Sequence, residues 1–207
     1  LQAPAEALVQ VEVCAASDYV EVPTHAGQRL TDWTLEAWVN PTNDTDGAGI
    51  IVRRVVESLA GGRRVMNYVM GVETNAGGLG FYAGYTLPNG AERLLRGPVL
   101  PAGRWTHVAA AYNSLAATLI LYTNGVQVAA TNTFVEAPPV NGRGGEVFVR
   151  MGEDFGGQLD EVRLWNRVRS RDEVAGTYPR LLTAGEMDGL IGYFPFDDGE
   201  AGTNVFP

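Results

Sequence analysis

Short runs of alternating apolar and polar residues recur along the chain, separated by Gly, Pro and Asx. DYVEV, WTLEAWV, MNYVMGV, LGFYAGY, WTHVAAAY, TLILYT, VQVAAT and EVFVRMG all have this form. A period of two is that of a half-buried strand. Asn124-Gly125, between LILYT and VQVAA, is a two-residue hairpin signal, because both residues tolerate the positive φ such a turn needs. Long patterns of period 3.6 are absent. One short helix is expected at SRDEVAGTY, near residues 171–178. Ser170 would cap it, Glu173 would complete a capping box, and Tyr178-Pro179 would stop it. The pattern predicts an all-β, two-sheet antiparallel sandwich in a single domain spanning 1–207. The late run GLIGYFPFDDG should fold back as an edge or bulged strand, since Pro195 lacks a donor.

The segment GQLDEVRLWNRVRS poses a question. Strict alternation puts Asp160 on the face of Val162 and Leu164, and Glu161, Arg163 and Trp165 on the other. Glu161 and Arg163 can pair in water at little cost. A carboxylate on an apolar face needs a partner, because an unpaired buried charge costs several kcal/mol or more. The same parity places Asp18 with Val20 and Val22.

Composition narrows the partners. The chain has 207 residues, 45% of them hydrophobic, enough for one substantial core. Its formal charge of −9 argues against nucleic acid and anionic membrane, both of which need a basic surface. No apolar run is long enough to insert in a membrane as a helix. All fifteen basic residues are Arg. The single cysteine, Cys14, excludes an internal disulfide and reads as a small core residue. The sequence starts without a signal peptide and ends abruptly, as expected of an excerpt from a larger multidomain protein.

Candidate binding chemistry lies in several places. Arg53, Arg54, Arg63 and Arg64 flank VVESLAGG and, gathered on one loop, would grip a sulfate or a uronic-acid carboxylate by bidentate bonds. Paired to Glu57 and other surface acids, they would instead be a solvated hairpin. Tyr68, Phe81, Tyr82 and Tyr85 are either sugar-stacking aromatics or core. NDTDG (43–47) lacks the length and terminal Glu of an EF-hand loop and reads as a turn, in a loop over 40–49; 136–145 reads as a second long loop. His107 reads as structural and His25 as a loop residue. No G-x-S-x-G elbow or His/Glu metal-hydrolase pattern is present.

DYVEVP, WTLEAWVNP, GRWTHVAAAYN, LILYTNGVQVA, GQLDEVRLWNRVRSRDEV and GLIGYFPFDDG, in this order, resemble the laminin-G-like and pentraxin-like branch of the concanavalin A-like jelly rolls. The resemblance runs from about Asp18 to Gly199. It implies a jelly roll with one concave and one convex sheet. It also implies a non-catalytic module of a secreted or cell-surface protein that binds a glycan or a glycosylated surface protein, many such modules carrying calcium. A purely structural or protein-docking module is the alternative. Hydrolases of this fold carry Glu-x-Asp-x-x-Glu on a concave strand, and GEDFGGQLDE has the residues without the spacing.

One structural Ca²⁺ would account for acidic residues at strand ends, since it takes six to eight oxygen ligands. The resemblance makes Asp160 the first ligand, Asp197 the second and Asp18 the next; without a metal, Asp160 would instead accept backbone and Arg hydrogen bonds. Glu153 and Asp154, before Phe155-Gly156-Gly157, resemble a shortened version of the acidic stretch that binds calcium in pentraxins. A solvated acidic turn is the other reading of that pair. Ligand identity and oligomeric state are not legible in the sequence.

Overall fold

The computed structural model describes residues 11–13, 19–23, 26–42, 48–57, 63–140 and 148–196. Thirteen strands form two antiparallel sheets among these residues. The first holds β1 (Val11–Val13), β12 (Gly157–Trp165), β3 (Trp33–Pro41), β8 (Thr106–Asn113), β9 (Thr118–Thr123) and β10 (Val126–Thr131), in that order. In it β13 (Leu190–Phe194) also pairs with β12. The second runs β2 (Val20–Val22), β11 (Phe148–Met151), β4 (Ala48–Glu57), β5 (Arg64–Asn75), β6 (Gly78–Thr86) and β7 (Glu92–Leu100). The sandwich expected from alternation is therefore present.

The core lies between the sheets. Leu35, Ala37 and Val39 of β3 face Tyr68, Met70 and Val72 of β5 and Phe81, Ala83 and Tyr85 of β6 across one apolar layer. The hairpin at Asn124-Gly125 forms as expected, with φ of 48° and 73°. Gly125 is required there twice over. A Cβ at this position would lie 2.8 Å from the Tyr178 ring, so the hairpin tip sits directly against the helix region.

The helix α1 spans Arg171–Thr177, and Ser170 and Glu173 form the reciprocal capping box. It roofs the outer face of the first sheet. Even-numbered residues of β3 point into this roofed layer. Trp38 donates its indole N–H to the Tyr178 carbonyl at 3.0 Å. Glu36, fully buried, pairs with Arg169 at 2.5 Å and lies 3.5 Å from His107 Nε2. Arg163 pairs with Glu161 at 2.5 Å, and Tyr193 donates to Glu161 at 2.6 Å. Glu161 and Arg163, expected to pair in water, pair in a dry layer instead. His107 has the structural role expected of it, packed against Trp38 and Tyr178.

The structure differs from the sequence reading at three strands. β7 carries no alternating signal, because ERLLRGPVL is an edge strand, exposed or half-buried at every position but its last, and contains Pro98. β4 runs through Glu57, so Arg53 and Arg54 belong to a strand rather than flanking a turn. Two register shifts, at Ile50/Val52 and Arg54/Val55, hide its alternation.

The third difference concerns β12. Asp160 lies opposite Trp38 and Arg163 opposite Glu36, so Glu161 and Val162 share a single partner position. Glu161 takes φ of 51° at this bulge. The extra residue inverts the parity. Leu159, Val162 and Leu164 face the core, while Asp160 shares the outer, roofed side with Trp38. Asp160 is not on the apolar inner face, although it is completely buried.

Candidate functional site

The outer face of the second sheet carries no α-helix among the described residues, and across it a charged end gives way to an apolar stretch. Register places Glu21, Arg150, Arg53, Val69, Gly84 and Leu94 side by side across six strands. Alternation explains the row. Val149 and Met151 are core residues, so Arg150 between them points outward.

At the charged end, carboxylates link the guanidinium groups. Arg150 donates to Glu21 at 2.8 Å and to Glu153 at 2.9 Å. Glu153 also pairs with Arg53 at 2.5 Å. The Arg150 guanidinium is clasped between two aromatic rings, 4.1 Å from the Tyr19 centroid and 4.0 Å from that of Phe148. Such stacking fixes its plane and adds cation–π attraction. Tyr19 is 43% exposed, so part of its side chain meets solvent beside the guanidinium.

Beside the charged end the surface is apolar, with Val69, Tyr82 and Leu94 packed together. Tyr82 pairs with Gly71 and its ring lies across that glycine, where a Cβ would come within 2.8 Å of the phenol oxygen. Burial, with Glu73 nearby, pushes the Tyr82 phenol up to about 12, against the opposing Arg53. It is a neutral hydroxyl at physiological pH. The face thus combines a fixed guanidinium array, carboxylate acceptors, an aromatic ledge and an apolar floor.

The structure sorts the residues singled out in the sequence. Tyr68, Phe81 and Tyr85 are core, and only Tyr82 of the four aromatics faces outward. The four arginines are not gathered on one loop. Arg53 lies on the outer face, whereas Arg54 is buried between the sheets, donating to Asn67 at 3.0 Å and the Val140 carbonyl at 3.2 Å. Arg54 is therefore unavailable to a surface ligand. Arg63 and Arg64 are exposed at the start of β5, and Arg63 reaches the turn at Gly90.

Glu153 carries two guanidinium groups already, so a cation there would have to displace them. Asp154 sits in the adjoining turn with φ of 56°. Asp18 and Asp197 lie outside the described residues. Among the described residues, no three His, Cys, Asp or Glu side chains come together as a metal set.

Arg150, Glu21 and Tyr19 were missed by sequence reasoning. The signal available was Phe148-x-Arg150, an aromatic and a cation on one face of a strand. A cleft of about 400 Å³ lies on the other side of the molecule, beside α1, lined in part by Arg167, Arg169 and Arg180. All three are committed, to Glu173, Glu36 and Glu186.

The profile of the concanavalin A-like lectin/glucanases superfamily, laminin-G type, matches residues 15–175. The chain belongs to this superfamily. The solved structures that resemble it share its fold at low identity. A proposed carbohydrate-binding protein from Bacteroides ovatus aligns with a TM-score of 0.65 and 20% identity over 90% of this chain and 51% of its own. The chain therefore spans about half the length of that protein. The CBM40 module of the Ruminococcus gnavus IT-sialidase gives 0.64 at 14% identity, over 82% of this chain and 96% of the module. A heptameric SAP-like pentraxin from Limulus polyphemus gives 0.53 at 14%, over 73% and 74%. A comparison with curated protein sequences finds no match. This superfamily member is a lectin-like domain whose structure resembles carbohydrate-binding modules, in a superfamily that also includes glucanases.

Proposed function

We propose that this domain is a non-catalytic glycan-recognition module of an extracellular or cell-surface protein, and that it binds through the outer face of its second sheet. The observation that carries the reading is the Tyr19–Arg150–Phe148 stack continued by Glu153 and Arg53. Planar donors linked by carboxylate acceptors suit vicinal hydroxyls, and a partly exposed aromatic side chain beside them suits the apolar face of a pyranose. The Ruminococcus gnavus module of the same fold is known bound to α2,3-sialyllactose, which makes acidic glycans the first to test. The carboxylates on this face are held in ion pairs, which suits binding rather than acid–base chemistry.

A glycan array followed by calorimetry tests this. Arg53→Ala/Arg150→Ala should weaken the best glycan at least tenfold, while Arg63→Ala leaves affinity unchanged. Failure of the intact domain to bind any neutral or acidic glycan would sink the reading and leave the protein-docking alternative.

A structural Ca²⁺ held by Asp160, with Asp197 and Asp18 as further ligands, is the second part of the proposal. Asp160 suits it as a fully buried carboxylate in β12, at the point where pairing passes from β1 to β13. Calcium bound only by the native state raises stability by mass action. Millimolar Ca²⁺ should raise the melting temperature above that in EDTA, and Asp160→Asn should remove the difference. Identical melting with and without EDTA would retire the metal.

A further inference from the structure

β10 is the outermost strand of the first sheet, and no described strand pairs with its far side. Sheet edges are ordinarily defended by charge, proline, a bulge or extreme shortness. β7, the edge of the second sheet, has such defences in Glu92, Arg93, Arg96 and Pro98. β10 has neither charge nor proline over VQVAAT. A bulge between Gln127 and Ala129 is its one such defence, and it leaves Ala129, Ala130 and Thr131 in regular register with β9.

The lack of charge extends well beyond the strand. Residues 105–135 contain no Asp, Glu, Arg or Lys, in a chain of net charge −9. Val126 and Val128 are 57% and 38% exposed on that strand. Two like-charged copies repel wherever their acidic surfaces meet, and this edge is where that repulsion is least. The surface is also self-complementary. An uncharged antiparallel strand pairs with its own copy about a two-fold axis, each contact occurring twice. It offers a charged partner nothing to grip.

We propose that the protein forms a homodimer by antiparallel pairing of β10 with β10 of a second copy. An antiparallel continuation of one sheet puts the two-fold axis perpendicular to it. The outer faces of both second sheets then point the same way. If those faces bind glycan, the dimer is bivalent on one side, and avidity can exceed single-site affinity by about 10²–10⁴. The dimer itself does not depend on the glycan reading.

Sedimentation and light scattering between micromolar and a few hundred micromolar decide the matter. The expected species is about 44 kDa, twice the 22.2 kDa chain. Val126→Glu/Val128→Glu should return it to the monomer with an unchanged far-ultraviolet spectrum, because both side chains are already exposed. Leu115→Glu adds the same kind of charge at a position 97% exposed in the β8–β9 turn, off the edge, and should leave the dimer intact. A wild-type monomer at every concentration overturns the proposal. So does a dimer that persists in the double variant, since its interface would lie elsewhere.

Discussion

Glu36→Gln is expected to destabilise the fold by about 3–5 kcal/mol, the cost of breaking a buried ion pair by removing one partner's charge. Glu36 is completely buried, and Arg169, itself 2% exposed, reaches it at 2.5 Å. A second guanidinium, that of Arg163, stands 3.9 Å away. Glutamine is nearly isosteric, so little packing changes, but Arg169 would keep its charge in a dry layer with no carboxylate opposite. Its bonds to the Glu173 carbonyl and Thr177 hydroxyl satisfy N–H groups without neutralising them. For a chain of this size the loss corresponds to a fall of roughly 6–20 °C in melting temperature. The comparison is Arg167→Met, which breaks the half-exposed Arg167–Glu173 pair and should cost under about 1 kcal/mol. Urea unfolding of both variants separates the two cases. Equal and small losses would mean that the roofed layer tolerates an unpaired guanidinium, and that the helix is held by packing alone.

The elements legible in the sequence were those whose local chemistry and tertiary environment agree. WTLEAWV has one face in the core and one in the roofed layer, and its alternation survives. The Asn124-Gly125 turn and the Ser170/Glu173 cap are set by residues in immediate contact, so spacing alone finds them. β7 fails that test because a half-covered edge strand has no fully buried face to mark it. β4 and β12 fail because bulges add a residue, and period-two counting cannot see an insertion that only the partner strand reveals. That single insertion moved Asp160 from the core side to the roofed side. It also turned Glu161 into a buried partner of Arg163.

The candidate site was half legible for a related reason. Arg53 and Glu153 were visible as chemistry, but 100 residues of sequence separate two groups that the register brings to 2.5 Å. Arg54, next to Arg53 in sequence, points to the opposite face and is buried. Four arginines near one another in sequence therefore looked like one cluster. The cluster that exists joins Arg53 to Arg150, through strands β4 and β11 paired across the sheet.

The same buried layer makes stability fall with acidification in two stages. Burial pushes the His107 imidazole below its usual range. Hydrogen bonding to Glu36 opposes this, while Arg163 and Arg169 reinforce it, and the downward direction prevails. The unfolded chain binds that proton near pH 6.5, so below this value the unfolded state holds more protons than the native one. Stability therefore drops as pH falls from about 6.5 toward the lowered native value, at about 1.4 kcal/mol per pH unit while the full proton difference persists. Glu36 adds the second stage. Burial alone would raise its carboxyl, but the His107 hydrogen bond and the Arg169 and Arg163 charges hold it at about 2. Its contribution is complete above the ordinary value of 4.5 and is lost as pH falls from there through about 2. Urea midpoints measured from pH 8 to pH 3 should decline gently first and steeply below about 4.5. His107→Gln keeps a donor toward Glu36 and cannot take up a proton, so it should flatten the upper stage and leave the lower one. A wild-type profile already flat between pH 6.5 and 5 would place the imidazole's proton uptake equally in both states. The roofed layer would then have to admit a third cation beside Arg163 and Arg169, which its carboxylates are not arranged to balance.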